Sequence, residues 1–188
     1  MQMQQAYEVR IAGFGGQGVI LAAMILGRAV SIVDNKHATL VQSFGPEARG
    51  GACSAQLVLS EERVLYPYAK NPDLLVAMSQ EGLRTYLDTV RPGGRLIYES
   101  DLVDVSSVPD DMAQFGVPAT AIAESLRRRI VTNIVMVGFI TAVGRVIGHD
   151  SAREAVMKSV PPGTERLNGQ AFELGYEYGV EHYGRAQA

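Results

Sequence analysis

The feature that most constrains the fold of this 188-residue chain is a glycine-rich segment near its start. Residues Gly13 to Gly18 (GFGGQG) match the pattern G-x-G-x-x-G. Residues 7–12 before them alternate in part between polar and apolar side chains, which predicts a strand, and residues 19–33 carry apolar residues at helical spacing. With a further predicted strand at residues 37–42, the chain opens as strand, glycine loop, helix, strand, an order typical of Rossmann-like α/β proteins.

The chemistry of such a loop is phosphate binding. Glycines let the backbone turn tightly and approach an anion, and the free N–H groups at the helix start bind it. We therefore take Gly13, Gly15, Gly16, Gln17 and Gly18 as candidate ligand-binding residues. The pattern alone leaves three interpretations open: a dinucleotide site, a site for another phosphate-bearing ligand, or a purely structural turn.

A dinucleotide site also needs an acidic residue at the end of the second strand, where it binds the ribose hydroxyls. Here that strand ends near Gln42. Asp34 precedes the strand and Glu47 follows it within a loop, so neither has the expected place. This counts against an independent oxidoreductase that binds NAD or FAD.

The second unusual segment is residues 43–51 (SFGPEARGG), which its glycines and proline predict to be a loop. Ser43, Glu47 and Arg49 stand among the glycines at the carboxyl end of a predicted strand, the edge at which α/β sheets bind ligands and partners. They are further candidate binding residues. The alternative, an internal hydrogen-bond network that only fixes the turn, remains equally open.

The rest of the chain continues the alternation of strands and helices. Near-continuous apolar runs such as residues 73–78 suit interior parallel strands covered on both faces. We predict strands at residues 52–59, 63–65, 73–78, 95–99 and 114–117, and helices at residues 80–90, 119–130, 133–148, 151–160 and 168–182. The predicted fold class is α/β: one Rossmann-like domain, residues 1–188, with a mostly parallel sheet flanked by helices.

Composition excludes several function classes. A net charge of −3 gives no footprint for nucleic acid, and the short run Arg127–Arg129 is better explained as a solvated face. Cys53 is the only cysteine, so the chain cannot by itself ligate an iron–sulfur cluster, which needs about four thiolates. The three histidines are too scattered for a metal site. The polar N-terminus lacks a secretory signal and no stretch suits a membrane span, so we expect a cytoplasmic protein.

The predicted helix at residues 133–148 is apolar nearly all round. Such a helix is either central to the fold or covered by a neighbouring subunit. We expect a subunit contact, because Gly138 and Gly144 would allow close approach of another helix.

Five segments in order make the chain resemble a known family. They are residues 11–19 (IAGFGGQGV), 43–55 (SFGPEARGGACSA), 71–81 (NPDLLVAMSQE), 92–100 (PGGRLIYES) and 132–140 (TNIVMVGFI). Together they resemble the gamma subunits of 2-oxoacid:ferredoxin oxidoreductases over nearly the whole chain.

This resemblance implies a Rossmann-like gamma domain in an enzyme with alpha, beta and often delta subunits. Such enzymes oxidatively decarboxylate a 2-oxoacid, transfer the acyl group to coenzyme A and pass electrons to ferredoxin. Thiamine diphosphate, magnesium and 4Fe–4S clusters are implied in the partner subunits, and none of them in this chain.

For this subunit we expect no catalytic residue, a structural role and contact with coenzyme A through the glycine loop. In that hypothesis Arg49 pairs with a phosphate or fixes its loop, and Gln17 orients the glycine loop or offers its amide to the ligand. A separate gamma chain favours 2-oxoglutarate as the substrate, although the substrate pocket is expected mainly in other subunits. The remaining alternatives are the independent NAD- or FAD-linked oxidoreductase and a scaffold whose glycine loop only packs.

Overall fold

The structure, a computed structural model, describes residues 6–45 and 51–184 and is built on one sheet. Its six strands are β1 (Tyr7–Phe14), β2 (His37–Phe44), β3 (Ala52–Ser60), β4 (Leu74–Ala77), β5 (Arg95–Glu99) and β6 (Ala113–Val117). Their order in the sheet is β2-β3-β1-β4-β5-β6. Strands β1, β4, β5 and β6 are parallel neighbours, whereas β3 is antiparallel to both β1 and β2. Only β3 therefore runs against the others, and the predicted mostly parallel α/β sheet is confirmed.

The hairpin of β2 and β3 makes the strand order of this sheet differ from the usual Rossmann order. In that order the strand after the first helix lies beside β1. Here β3 occupies that place, and β2 is the edge strand beyond it. The predicted short strand at residues 63–65 is wrong. Because β1 and β2 flank β3 on both sides, a return strand has no free neighbour there to pair with.

Six helices surround the sheet, and most lie on one face. They are α1 (Val19–Arg28), α2 (Gln80–Tyr86), α3 (Ala119–Ser125), α4 (Thr132–Val143), α5 (His149–Ser159) and α6 (Glu165–Tyr183). A π-helical segment (Ala29–Val33) extends α1, and single 3-10 turns (Leu87–Thr89 and Arg129–Val131) follow α2 and precede α4. The larger core lies between the sheet and α1, α3, α4, α5 and α6, and a smaller core lies under α2. Both faces of β4 are thus covered, which explains its unbroken apolar sequence.

Helix α4 is buried by its own chain, so the expected subunit contact through α4 is wrong. Asn133 to Val143 are all buried, and α6 covers much of this surface. A Cβ atom added to Gly138 would lie 2.0 Å from the carbonyl oxygen of Phe172, and one added to Gly175 would lie 2.0 Å from that of Val135. The close approach predicted from the glycines is real, but the helix that approaches belongs to the same domain.

Helix α4 ends at Val143, before the predicted residue 148, and the left-handed backbone of Arg145 (φ 57°) cannot continue it. Side chains bind the last carbonyl groups. Arg95 Nη1 donates to the Val143 oxygen over 2.9 Å, and the Tyr7 hydroxyl donates to the Gly144 oxygen over 2.8 Å. Burial, reinforced by the charge of Asp73, raises the pKa of Tyr7 to about 12, so this donor keeps its proton. A cation beside a helix C-terminus also stabilises the helix dipole.

The two edges of the sheet differ. At the β6 edge, the Tyr183 hydroxyl is 3.0 Å from both the amide nitrogen and the carbonyl oxygen of Gly116, so it occupies the free backbone groups there. At the β2 edge the strand carries no lysine, glutamate or proline, the residues that commonly protect edge strands. Within the described residues, no helix is long and apolar enough to cross a membrane.

Candidate functional site: the glycine loop and its surroundings

The glycine loop connects the carboxyl end of β1 to α1. Its positions require glycine for different reasons. Gly16 and Gly18 have φ values of 97° and 76°, in the left-handed region that other residues rarely adopt. Gly13 is required by packing, since an added Cβ atom would lie 2.5 Å from Gln17 Oε1. The predicted loop is therefore present, at the sheet edge where α/β proteins bind ligands.

Part of the loop's hydrogen-bonding capacity is used internally. The amide of Gly15 donates to the Gly51 oxygen over 2.8 Å, and that of Gln17 donates to the Phe14 oxygen over 3.1 Å. The first internal bond of the helix runs from Ala22 to the Gly18 oxygen over 2.9 Å. The N–H groups at the start of α1 consequently have no acceptor within the helix. Among residues 6–45 and 51–184 no side chain caps α1, so this end of the helix can bind an anion.

Gln17 holds the loop in place. Its Oε1 accepts from the Phe14 amide over 2.6 Å, and its Nε2 donates to the Met78 oxygen over 2.8 Å. The side chain therefore ties the loop to the end of β4. Two roles were expected for Gln17: orienting the loop, or offering its amide to the ligand. The geometry matches the first role, because the side-chain amide already bonds to Phe14 and Met78.

Asn133, in the first turn of α4, is a residue that the motif analysis did not single out. A Cβ atom added to Gly18 would lie 2.5 Å from Asn133 Nδ2, so the two residues are in direct contact. The side chain is only 4% exposed. The segment TNIVMVGFI contains this asparagine, but only the folded chain shows that it lies against the glycine loop.

A cavity of about 140 Å³ adjoins the loop on the α2 side of the sheet. It is lined by residues at the ends of β1, β2 and β3 and along α2: Ala12, Gly13, Ser43, Phe44, Gly45, Ala52, Cys53, Ser54, Glu81, Gly82, Thr85 and Tyr86. Ser54 Oγ lies 3.1 Å from the Tyr86 hydroxyl, and the Arg10 guanidinium lies 4.4 Å from the centre of the Tyr86 ring. The cavity thus combines an apolar floor with hydroxyl groups and a carboxylate.

Ser43 reaches this cavity from within a strand. It was predicted to begin the loop, but β2 continues to Phe44 because Ser43 and Phe44 pair with Ser54 and Cys53. Glu47 and Arg49, the other two candidates of that segment, lie outside the described residues, and their assignment remains a prediction.

Cys53 also lines the cavity and is 7% exposed. Burial raises the pKa of its thiol, which keeps the group protonated and weakly nucleophilic. Asp34, the acidic residue nearest in sequence to a ribose-binding position, is hydrogen-bonded to Ser151 at the start of α5. It follows the C-terminal end of α1 and therefore lies away from the glycine loop.

Glu99 is a second buried polar group at the carboxyl edge, 1% exposed at the end of β5. Its Oε2 accepts from the Thr120 amide over 2.9 Å and from the Thr120 hydroxyl over 3.1 Å, which caps the start of α3. Burial raises the pKa of this carboxyl, and the hydrogen bonds from Asp101 and Thr120 oppose that rise. The geometry makes Glu99 a structural cap for a helix.

The fold and site thus define an α/β domain with a glycine-rich loop at the carboxyl edge of its sheet, and comparison with known proteins places this domain in a family. The model of the pyruvate ferredoxin/flavodoxin oxidoreductase family matches residues 8–178. The 2-oxoglutarate synthase subunit KorC of Methanothermobacter marburgensis is 47% identical, over 93% of this chain and 97% of its own length. The chain belongs to the pyruvate ferredoxin/flavodoxin oxidoreductase family, as the resemblance indicated.

Two solved structures share the fold. The gamma subunit of the keto/oxoacid ferredoxin oxidoreductase of Geobacter sulfurreducens PCA has a TM-score of 0.80 at 36% identity, covering 93% of this chain and 99% of that one. The 2-oxoglutarate:ferredoxin oxidoreductase of Magnetococcus marinus, with 2-oxoglutarate, coenzyme A and succinyl-CoA bound, has a TM-score of 0.82. At 21% identity the second likeness concerns the fold alone. The match covers 98% of this chain and 32% of that longer chain.

Proposed function

We propose that this chain is the gamma subunit of a 2-oxoglutarate:ferredoxin oxidoreductase. The observation that carries the proposal is the 47% identity, over nearly the full length of both chains, to a 2-oxoglutarate synthase subunit. The reaction would convert 2-oxoglutarate, coenzyme A and two oxidised ferredoxins to succinyl-CoA, carbon dioxide and two reduced ferredoxins. Departure of carbon dioxide would leave the electron pair of the broken bond on the former carbonyl carbon. These two electrons would then pass one to each ferredoxin, and the thiol sulfur of coenzyme A would lose its proton and form the new bond to the acyl carbon.

The proposal assigns the redox and carbanion chemistry to alpha, beta and, where present, delta subunits. Thiamine diphosphate with magnesium would stabilise the carbanion there, and 4Fe–4S clusters would pass electrons to ferredoxin. A single cysteine, Cys53, supports this division, since one thiolate cannot hold a cluster. We place the complex in the cytoplasm, and we expect the isolated chain to be inactive.

Within the complex, this chain would contribute structure and a contact with coenzyme A. The glycine loop supports this role, because the start of α1, which no described side chain caps, suits the diphosphate of the nucleotide half. Gln17 would hold the loop in its binding shape through its bonds to Phe14 and Met78. Ser43 lies in the adjoining cavity, where it could face the same ligand.

Affinity purification of the full chain from its native cells tests the assembly and the substrate. We expect alpha- and beta-type oxidoreductase subunits to copurify, and the preparation to reduce ferredoxin with 2-oxoglutarate and coenzyme A. Pyruvate serves as the control substrate and should give much lower kcat/KM. Turnover of a 2-oxoacid by the chain alone, or preference for pyruvate, would contradict the assignment.

The contact with coenzyme A needs a separate test, because a scaffold whose loop only packs would also copurify. Gly16 has a left-handed backbone, and a Cβ atom added to it meets no atom of the described residues within 4 Å. Gly16→Ala therefore changes the loop conformation without a steric clash. We expect a raised KM for coenzyme A with an unchanged KM for 2-oxoglutarate; unchanged values for both would favour the scaffold.

A further inference from the structure

Strand β2 is an open edge of the sheet. It is eight residues long, His37–Phe44, and only β3 lies beside it. Among the described residues, no backbone–backbone hydrogen bond from outside β3 reaches residues 37–44. In an antiparallel pair, every second residue points its N–H and C=O away from the neighbouring strand. Strand β2 therefore presents a row of donors and acceptors to which a further strand can bind.

The sequence of β2 permits pairing with a copy of itself. The strand, HATLVQSF, contains no lysine, arginine, aspartate or glutamate. Two such strands placed side by side therefore bring no like charges together, which would oppose the pairing. At the other edge of the sheet, the Tyr183 hydroxyl already occupies the backbone groups of Gly116 in β6. Of the two edges, β2 is thus the one that can bind another strand.

An exposed ring and an apolar groove lie at different ends of β2, on the same side of the sheet. The groove, of about 190 Å³, lies between α1 and β2, and Met24, Gly27, Ala38 and Leu40 contribute to its lining. Ala38 and Leu40 pack against the larger core, so by alternation Phe44 also belongs to the α1 side of the strand. Phe44 is 67% exposed. The strand therefore carries both an apolar side chain to be covered and an apolar groove that can cover one.

A two-fold axis at Val41 would bring these two features together. Two copies related by an axis perpendicular to the sheet run antiparallel and keep the same faces on the same side. With the axis at Val41, Phe44 of each copy lies opposite Ala38 of the other, beside its groove. With the axis at Leu40, Phe44 would instead lie opposite Lys36, beyond β2. The position of the groove therefore favours the axis at Val41.

Thr39 favours the same register independently. Its Oγ1 is buried without a hydrogen-bond partner among the described residues, which is unusual for a buried polar atom. With the axis at Val41, Thr39 lies opposite Ser43 of the second copy, and rotation about χ1 turns its hydroxyl toward that serine. Cross-strand Thr–Ser pairs form hydrogen bonds, and a serine that accepts one keeps its own proton for a ligand. The axis at Leu40 would place Val41 there, which offers no polar group.

We propose that β2 pairs with β2 of a second copy of this chain, antiparallel about a two-fold axis at Val41. The two sheets then join into one, and both copies use the same surface, as a closed dimer requires. In the enzyme, this pairing would link two sets of partner subunits. The proposal goes beyond the proposed function and does not depend on the substrate.

Sedimentation of the full chain tests the dimer. We expect the wild type to sediment at twice its mass of 20.3 kDa. Val41→Lys places two ammonium groups together at the axis and should weaken the dimer by about tenfold or more, while lysine on an edge strand leaves the fold intact. Ile130→Lys, at an 84% exposed residue in the turn before α4, is the control and should remain dimeric. A wild type that is monomeric at every concentration, or a Val41→Lys dimer as tight as the wild type, overturns the proposal.

A disulfide cross-link in the purified complex tests the register. Opposite residues of antiparallel strands have Cα atoms about 4.5–5.5 Å apart, a distance that a disulfide can bridge. Oxidation of the Val41→Cys variant should therefore link two copies of this chain, seen as a band of twice the mass on a nonreducing gel. Leu40→Cys, which would lie opposite Gln42 rather than its own copy, should stay unlinked, as should the wild type with its buried Cys53.

Three results of the cross-link would overturn the proposal. Linkage of Leu40→Cys without Val41→Cys would place the axis at Leu40. Linkage of Val41→Cys to a different subunit would mean that a strand of that subunit covers β2. No linkage of Val41→Cys at all would mean that two β2 strands do not meet. Both experiments measure mass alone, so they decide the pairing whichever 2-oxoacid the enzyme uses.

Discussion

Gln17 Nε2 donates a hydrogen bond to the carbonyl oxygen of Met78, which joins the glycine loop to the strand at the centre of the sheet. The same side chain accepts from the Phe14 amide. Two backbone groups that β1 and β4 leave free at their carboxyl ends are therefore bound by one side chain. The loop shape that presents the start of α1 depends on this residue.

Replacement of Gln17 by leucine should impair both stability and ligand binding. The Phe14 amide and the Met78 oxygen would lose their partner, a loss of about 1–3 kcal/mol for a buried unsatisfied group. Urea unfolding of the full chain measures this free energy. In the complex, we expect the KM for coenzyme A to rise while the KM for 2-oxoglutarate stays the same.

Gln80→Leu is the control for Gln17→Leu. Gln80 also bridges two backbone groups, since its Nε2 donates to the Asp104 oxygen and its Oε1 accepts from the Asp104 amide. That bridge is exposed and joins α2 to the segment after β5, with no hydrogen bond to the glycine loop among the described residues, so its loss should be small and leave the KM for coenzyme A unaltered. Equal effects of both variants on this KM would show that Gln17 has no special role at the loop.

The crossing of α4 and α6 gives a second prediction. Gly138→Ala would place a methyl group 2.0 Å from the Phe172 oxygen, which the backbone of α6 cannot avoid without moving. Overpacking of this kind costs about 1–3 kcal/mol or more. We expect a clearly lower Tm, and a core that binds a dye for exposed apolar surface.

Gly169→Ala, in α6, is the control for Gly138→Ala in α4, and it should change the stability in the opposite direction. Within the described part of the chain, its added Cβ atom would meet only Met157 Sδ, at an ordinary 3.5 Å. Alanine is favoured over glycine in a helix by up to about 1 kcal/mol, so the variant should be slightly more stable. If Gly138→Ala were as stable as Gly169→Ala, then α4 and α6 would not pack as closely as they do in the structure.

The glycine motif and the apolar periodicity were enough to predict the fold class, because both report on local backbone shape and on which faces are buried. They could not predict that β3 separates β1 from β2, since strand order depends on pairings between distant segments. The same limit explains α4: an apolar surface shows that Val135 and Gly138 are covered, but the covering helix, α6, is revealed only by the folded chain.

The candidate site likewise contains residues that the sequence motif predicts and one that only the folded chain reveals. Gly13, Gly16 and Gly18 have backbone or packing requirements that a motif encodes directly. Asn133 is far from them in sequence, and no pattern of charge or spacing connects it to the loop. Its contact with Gly18 arises from the crossing of α1 and α4, which is tertiary information.

Glu99 gives a prediction about pH. Burial raises the pKa of its carboxyl above the ordinary value of 4.5, so the folded state binds a proton more tightly than the unfolded state. The contribution of Glu99 to stability is therefore greatest below pH 4.5 and decreases as the pH rises through the raised pKa. Glu99→Gln removes this titration but keeps an oxygen that can accept from the Thr120 amide.

We expect the stability of the wild type relative to Glu99→Gln to decrease from about pH 4.5 toward neutral pH, as measured by urea unfolding at each pH. Glu62→Gln, at an exposed turn, controls for the change in net charge. A relative stability that increases with pH would mean that the hydrogen bonds from Thr120 and Asp101 outweigh burial.

His149 should produce a pH dependence nearer neutrality. Its ring nitrogens lie 3.0 Å from Asp150 Oδ1 and 2.9 Å from Glu173 Oε2, and its side chain is 22% exposed. Burial lowers the pKa of the imidazole, but the hydrogen bonds and charges of the two carboxylates outweigh it, so the pKa is raised above 6.5. The protonated ring then links the start of α5 to α6, where Glu173 also binds Arg153 over 2.9 Å.

Because the folded pKa of His149 is raised, its contribution to stability is fully present below pH 6.5 and is lost as the pH rises through the raised value. His149→Gln should therefore destabilise the chain at pH 6 and have less effect at pH 9, with unfolding followed in urea at both pH values. His37→Gln, at an exposed histidine at the start of β2, controls for the loss of an imidazole from the chain. An effect of His149→Gln that is constant across this range would show that the ring acts through packing against Phe172 and Tyr176 rather than through its charge.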